Sequence, residues 1–271
     1  MLASRLFSSF FLFIPIIISM FNSLFFNIFL VHILNFILNW EFLRLINFYK
    51  FKKKSNDSMV NNFFLTRCRL SNVDYLSIIL LQLTILVFNF NQSYLVIFCS
   101  FLLLMLINRS KVKMFGLVYL TMPFIFISSF KDYNELILML FFLLIIVIST
   151  DVGGFILGKT IGGPKIFKKI SPKKTWAGFI GGLFFSIFFC YVFFSIKDLK
   201  YILIICFLSV ICQFGDFLES FLKRSCLVKE SSNLIPGHGG FLDRLDGAIL
   251  LTNFVFVTNF LNFNFYNIIF S

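Results

Sequence analysis

Apolar stretches of about 15 to 20 residues recur along the chain, and they limit its fold more than any other feature. A stretch of this length can cross the hydrocarbon core of a bilayer as a helix, because a helix satisfies its backbone hydrogen bonds internally. Only 13% of the residues are charged, compared with about a quarter in soluble domains. The sequence therefore predicts an all-α, polytopic integral membrane protein.

About nine transmembrane helices are expected. They cover residues 6–21, 24–40, 75–90, 94–107, 115–130, 135–150, 176–196, 201–224 and 246–265. The first resembles a signal peptide, but no small-residue cleavage site follows it, so a retained helix is expected. The six cysteines are scattered without a CxxC pair, which indicates neither a disulfide framework nor a zinc site.

The 24 Lys and Arg outnumber the 12 Asp and Glu, and they gather between apolar runs. This pattern indicates topology rather than nucleic-acid binding, and the basic connections should face the cytoplasm. The chain is predicted to form one domain over residues 1–271. Residues 1–150 would be mainly helical scaffold, and residues 151–271 would be the catalytic part, with two cytoplasmic polar connections at 151–175 and 223–246.

One face of the eighth predicted span is polar. Asp216, Glu219, Ser220, Lys223 and Arg224 follow helical spacing and therefore share that face. A charge at bilayer depth costs at least a few kcal/mol, so this stripe requires a compensating cation or a water-filled cavity. The alternative is that Asp216 and Glu219 pair with Lys223 and Arg224 on a solvated helix end.

Two carboxylates, Asp243 and Asp246, open the last predicted helix directly after a glycine-rich turn at residues 236–240. Together with Asp216 they form an oxygen donor set without a thiolate or a histidine pair, which favours Mg²⁺. Acidic residues at a helix start can also interact only with the helix dipole. The glycines allow backbone N–H groups to approach an anion, as a phosphate requires.

His238 within this turn could be a general acid or base, a phosphate donor, or a turn residue bonded to the backbone. Cations beside the carboxylates would suit a metal-bound polyphosphate, although Arg244 could merely neutralise the two aspartates. These cations are Lys223, Arg224, Lys229 and Arg244. The connection at residues 151–182 is rich in Gly and Lys but lacks a Walker A motif, which argues against an ATPase. Its lysines could instead contact anionic lipid headgroups.

The segment SFLKRSCLVKESSNLIPGHGGFLDRLD at residues 220–246 resembles the signature of the phosphatidate cytidylyltransferases, also called CDP-diacylglycerol synthases. Matching residues also include Asp151, Gly215, Asp216 and the SPKKTW stretch at 171–176. The sequence departs from the family pattern at Ala177, Glu230 and Ser232.

The resemblance implies an integral membrane enzyme that joins CTP and phosphatidate into CDP-diacylglycerol and pyrophosphate with Mg²⁺, a second cation being open. Asp216, Asp243 and Asp246 would bind metal. Catalytic roles would fall to Lys223, Arg224, Lys229, His238 and Arg244. Substrate binding would fall to Ser171, Lys174, Thr175, Ser220, Gly239 and Gly240.

Expected partners are CTP, phosphatidate and membrane lipids, with no nucleic acid. Close helix packing at Gly178 and Gly182 would fit a homodimer. A bacterial plasma (inner) membrane is expected, with the active site facing the cytoplasm. The alternative is a polytopic secondary transporter with intramembrane carboxylates, although the sequence lacks an inverted repeat. A CDP-alcohol phosphotransferase is disfavoured because its DGxxAR pattern is missing.

Overall fold

A computed structural model describes residues 24–55, 68–167, 171–232, 234, 239–261 and 269. This part of the chain forms eight helices and one two-stranded sheet. In order they are α1 (Leu24–Ser55), α2 (Asn72–Asn91), α3 (Tyr94–Ile107), α4 (Lys111–Ser128), α5 (Tyr133–Thr160), β1 (Lys165–Phe167), β2 (Ser171–Thr175), α6 (Trp176–Phe194), α7 (Leu199–Ser225) and α8 (Leu242–Phe260).

The prediction of an all-α polytopic membrane protein is confirmed. Six helices are long and apolar enough to cross a membrane: Phe29–Lys50 within α1, and all of α2, α4, α5, α6 and α7. Helix α3 is apolar but has only 14 residues. The predicted span 6–21 lies outside the described residues, and each of the other eight predicted spans coincides with a helix. The number of membrane crossings stays a prediction.

The described residues fall into two compact units. The first contains the described part of Met1–Tyr133 and Ser225–Arg244. Helix α1 packs against α4, and α2 packs against α3. Leu38, Leu43 and Leu117 have no exposed surface within this core. The unit also buries Asp74, which closes a capping box with Ser71 at the start of α2 and pairs with Lys113 of α4.

The second unit contains the described part of Asn134–Arg224 and Leu245–Ser271. Helices α5 and α6 approach closely through glycines: a Cβ atom on Gly181 would lie 2.7 Å from the carbonyl oxygen of Gly153. The close packing expected at Gly178 therefore occurs within this chain, since a Cβ atom there would lie 2.7 Å from the carbonyl oxygen of Gly154. The homodimer stays a prediction, as does the single domain.

The predicted polar connection at residues 151–175 has more regular structure than expected. Helix α5 continues to Thr160, because its last turns contain the glycines that pack against α6. An antiparallel hairpin follows, in which Lys165 of β1 is opposite Thr175 of β2. Gly162 and Gly163 precede it with positive φ angles of 66° and 92°, a conformation that glycine adopts readily. The prediction contained no strand, because the hairpin lacks the alternating apolar pattern of a half-buried strand.

Candidate active site

The polar face of α7 carries an internal ion pair. Lys223 Nζ lies 2.6 Å from Oε2 of Glu219, one helical turn away, and both side chains are largely buried. A salt bridge along this helix therefore forms between Glu219 and Lys223, but it is buried and not on the solvated helix end that the alternative assumed. Asp216 has a different partner, from another element of the same unit.

That partner is Lys174 of β2. The Nζ atom of Lys174 lies 2.6 Å from Oδ2 of Asp216 and 4.5 Å from the ring centroid of Phe217. The side chains of Lys174 and Asp216 are 31% and 17% exposed, so the pair faces solvent in part. The structure thus brings together a residue predicted to bind substrate and a residue predicted to bind metal.

Glycines allow α7 and the main part of α8 to approach each other. A Cβ atom on Gly215 would lie 2.6 Å from the carbonyl oxygen of Asp246. A Cβ atom on Gly247 would lie 2.9 Å from Oδ1 of Asp216 and 2.8 Å from Sγ of Cys212. Real Cβ atoms do not tolerate such distances, so both positions require glycine. The contact places Asp216 directly against the residue that follows Asp246.

The resulting cluster is acidic. Asp246 is half-buried, its Oδ1 atom accepts a hydrogen bond from the backbone N–H of Gly247 at 2.9 Å, and the charges that act on it are those of Asp216, Glu219 and Asp151. Carboxylates that face one another repel, and a bound cation relieves this repulsion. Asp216 thus lies beside the backbone that carries Asp246, and a metal site shared by the two stays a prediction.

The donor set fits Mg²⁺. Among the residues that the structure describes, no group of three or more His, Cys, Asp and Glu side chains is arranged to hold a metal ion. Magnesium rarely uses such a cage, because it is usually held by one or two carboxylates together with waters and substrate phosphates. The oxygen atoms of Asp216 and Asp246 meet this requirement. The three-carboxylate metal set stays a prediction.

Asp243 belongs to the first unit and organises the turn before α8. Its Oδ2 atom accepts hydrogen bonds from the backbone N–H of Gly240 and of Ser231, each at 2.9 Å, and from the Ser231 hydroxyl at 3.1 Å. Gly239 has a φ of 86° and lies so close that a Cβ atom there would be 2.5 Å from the same oxygen. One oxygen of Asp243 is therefore already hydrogen-bonded to Ser231 and Gly240.

Glu41 is the site residue that the sequence analysis missed. It lies in α1, within the segment predicted to be scaffold, and it has no exposed surface. Its carboxylate accepts hydrogen bonds from the Ser232 hydroxyl and from the backbone N–H groups of Phe241 and Leu242. A charged residue within a long apolar helix was the available signal, but Glu41 falls just beyond the predicted span 24–40.

The structure also describes six other residues that the sequence predicts for the site. Thr175 begins α6 as its N-cap, since its hydroxyl accepts the Gly178 N–H at 3.1 Å. Ser171 opens β2, and Ser220 is half-buried on α7. Exposed cations are found at Arg224, Lys229 and Arg244. His238 lies outside the described residues, so its three possible roles stay open.

The match to a protein family covers nearly the whole chain, and the matches to individual relatives cover about half of it or less. Residues 3–262 match the family described as the cytidylyltransferase family. The chain is 38% identical over 158 residues to the phosphatidate cytidylyltransferase of Rickettsia bellii (strain RML369-C), which covers 53% of the chain and 67% of that protein. It is 38% identical over 145 residues to the phosphatidate cytidylyltransferase of Bacillus subtilis (strain 168).

The Bacillus match covers 51% of the chain and 54% of the relative. A third relative, the phosphatidate cytidylyltransferase of Brucella suis biovar 1 (strain 1330), is 38% identical over 112 residues, or 40% of the chain and 42% of that protein. The chain thus spans between about two fifths and two thirds of the length of these relatives. None of these matches supports the transporter alternative.

Proposed function

The chain belongs to the cytidylyltransferase family, and from this membership we propose that it is a phosphatidate cytidylyltransferase. It would transfer CMP from CTP to phosphatidate and release pyrophosphate. The observation that carries the proposal is the pairing of carboxylates and a lysine in one unit, where Asp216 lies against Gly247 and beside Lys174. Acidic and basic groups together suit a metal-bound polyphosphate.

The nucleophile needs no dedicated base. The phosphomonoester of phosphatidate has a second pKa of about 6, so an anionic oxygen is present at neutral pH. This oxygen forms a bond to the α-phosphorus of CTP, while the bond from that phosphorus to the bridging oxygen of the departing pyrophosphate breaks. The obstacle is the repulsion between two polyanions, and the protein must reduce it.

Residues of this chain would reduce that repulsion in two ways. Lys174 pairs with Asp216, and its partly exposed ammonium group would form an ion pair with a phosphate oxygen of the substrate. The exposed Arg224, Lys229 and Arg244 would attract the triphosphate, and Lys223 would contribute from its pair with Glu219. The backbone N–H of Gly239 would bind a phosphate oxygen, with His238 beside it in sequence, and Gly240 would support that turn through its bond to Asp243.

Mg²⁺ would be held by Asp216 and Asp246, with Asp243 as a third candidate ligand and a second cation as an open alternative. When bound, it would neutralise charge on the phosphate oxygens and help to align them. We also propose that the enzyme resides in a bacterial plasma membrane, with these residues at the cytoplasmic side. The basic connections support this orientation, because Lys and Arg accumulate in cytoplasmic loops. A homodimer is proposed on the family likeness alone.

The decisive experiment is a transfer assay with purified protein in mixed micelles. Radiolabelled CTP, phosphatidate and Mg²⁺ are supplied, and label is counted in the organic phase. The proposal predicts label that requires phosphatidate and is abolished by EDTA. A monodisperse protein that binds CTP but transfers no label would contradict it.

A further inference from the structure

Glu41 is a fully buried carboxylate with three donors around it. Its Oε1 atom lies 2.5 Å from the Ser232 hydroxyl and 3.1 Å from the Phe241 backbone nitrogen. Its Oε2 atom lies 2.8 Å from the Leu242 backbone nitrogen. Burying a carboxylate is costly unless it is fully hydrogen-bonded, so these three contacts explain how the first unit accommodates this side chain.

The contacts are made at the start of α8, which begins at Leu242. The first N–H groups of a helix have no partner within the helix and carry partial positive charge. Glu41 supplies the missing acceptors from a helix that lies about 200 residues earlier in the chain. Its carboxylate therefore caps the first turn of α8.

Gly240, which lies two residues before α8, is held from two sides. On one side, Asp243 accepts the N–H of Gly240 and of Ser231. On the other side, a Cβ atom on Gly240 would lie 2.6 Å from Oε1 of Glu41, so this glycine fits directly against the carboxylate. Ser231, Ser232 and the backbone at residues 240–242 are thus held by two carboxylates of the same unit.

We propose that Glu41 is a positioning residue for the transfer reaction. It holds the backbone of Gly240, Phe241 and Leu242, and through this backbone it holds Asp243 and the neighbouring Gly239 in the arrangement that receives the substrate phosphates. Glu41 itself touches no substrate in this proposal. The inference rests on the proposed function, because the turn matters for turnover only if it binds a phosphate. A misplacement of about 1 Å can reduce a rate about a hundredfold.

The test compares Glu41→Gln with Glu41→Asp and with a matched control. Glutamine keeps the size of the side chain and one acceptor oxygen, but its amide would face the Leu242 N–H, so one hydrogen bond is lost. The control is Asp74→Asn, which alters another fully buried carboxylate of the same unit that caps α2 rather than α8. Three quantities are measured: kcat and KM of the folded fraction, thermal unfolding, and amide hydrogen exchange of residues 228–244.

Glu41→Gln should lower kcat at least about tenfold while KM for CTP changes less than about threefold, since alignment rather than binding is lost. Amide exchange at residues 239–243 should accelerate. Glu41→Asp keeps the charge and should recover part of the lost turnover. Asp74→Asn should lower the unfolding temperature, yet leave both the exchange of residues 239–243 and the kcat of the folded fraction unchanged within about twofold.

A purely structural role for Glu41 would reduce the amount of folded protein without changing its kcat, and this result would overturn the proposal. If Glu41→Gln does not fold, Ser232→Ala decides the matter, because it removes one donor and leaves the carboxylate in place. Accelerated exchange with wild-type kcat in Ser232→Ala would also overturn it. Failure of the proposed function is recognised separately, since the wild-type protein would then transfer no label from CTP.

Discussion

The ammonium group of Lys174 lies 2.6 Å from the carboxylate of Asp216, and the two residues are 42 positions apart in the chain. Lys174 belongs to the hairpin and Asp216 to α7, so the pair joins a polar connection to a transmembrane helix of the same unit. Both side chains retain some exposure, which leaves the lysine able to exchange its partner. In the proposed enzyme, a phosphate of CTP could take the place of the carboxylate.

The first prediction concerns this pair. Lys174→Gln removes the positive charge while preserving polarity, so KM for CTP should rise about tenfold, corresponding to about 1.4 kcal/mol of lost interaction. Lys197→Gln serves as the control, because Lys197 is exposed in the connection between α6 and α7 and should leave KM unchanged. Initial rates are measured over a range of CTP concentrations. An unchanged KM for Lys174→Gln would exclude a role in nucleotide binding.

The second prediction concerns the acidic cluster. Asp246→Asn and Asp216→Asn should each abolish Mg²⁺-dependent turnover in protein that remains folded in detergent, because an amide is a poorer ligand than a carboxylate. Turnover is recorded across a Mg²⁺ titration, with Asp198→Asn as a control on an exposed aspartate outside the cluster. Retained activity in either variant would remove that residue from the metal set.

The third prediction concerns Gly247, the glycine of α8 that packs against Asp216 of α7. Gly247→Ala introduces a Cβ atom 2.9 Å from Oδ1 of Asp216, so it should lower the free energy of unfolding by about 1–3 kcal/mol and reduce turnover. Gly154→Ala is the matched helical control, because its Cβ atom would meet its nearest neighbour at an ordinary 3.5 Å. The control should change stability by less than about 1 kcal/mol. Thermal unfolding in detergent distinguishes the two, and equal effects would contradict the proposed close approach.

The fourth prediction concerns Cys226, which begins the segment that leads to the glycine turn. Burial raises the pKa of its thiol to about 11, and only 3% of its surface is exposed. Because the pKa is raised, the thiol stays protonated at neutral pH and only about one molecule in ten thousand carries the reactive thiolate.

A variant that keeps only Cys226 should therefore react with N-ethylmaleimide far more slowly at pH 7 when it is folded than when it is unfolded. The rate in the folded protein should increase as the pH approaches 11. Intact mass measures the extent of labelling. Equal rates for the folded and the unfolded protein at pH 7 would contradict the burial of Cys226.

The sequence predicted the helices because hydrophobicity is a local property. Each apolar stretch must satisfy its own backbone hydrogen bonds in lipid, so length and composition indicate a helix without reference to the rest of the chain. The predicted ends of the helices were less accurate than their positions along the chain. Helix α5 extends to Thr160 because its glycines pack against α6, and this contact depends on a partner that the local pattern does not identify.

The same distinction applies to the candidate site. Asp216, Asp243 and Asp246 could be selected from sequence, because their residue types and spacing stand out against apolar surroundings. The side chains and backbone groups that these aspartates contact could not be predicted from the sequence. In the structure, Asp216 forms an ion pair with Lys174, and one oxygen of Asp243 accepts hydrogen bonds from Ser231 and Gly240. Whether all three aspartates share one ion stays a prediction.

The sequence by itself determined that this chain is a polytopic helical membrane protein with the cytidylyltransferase signature, since both follow from residues that are close in the chain. Only the tertiary structure revealed Glu41, which reaches Ser232 across 191 positions and caps α8. The physical reason is that a buried carboxylate is tolerated only where donors converge on it. These donors come from segments that are distant in the chain, so the local sequence of α1 does not predict which groups Glu41 contacts.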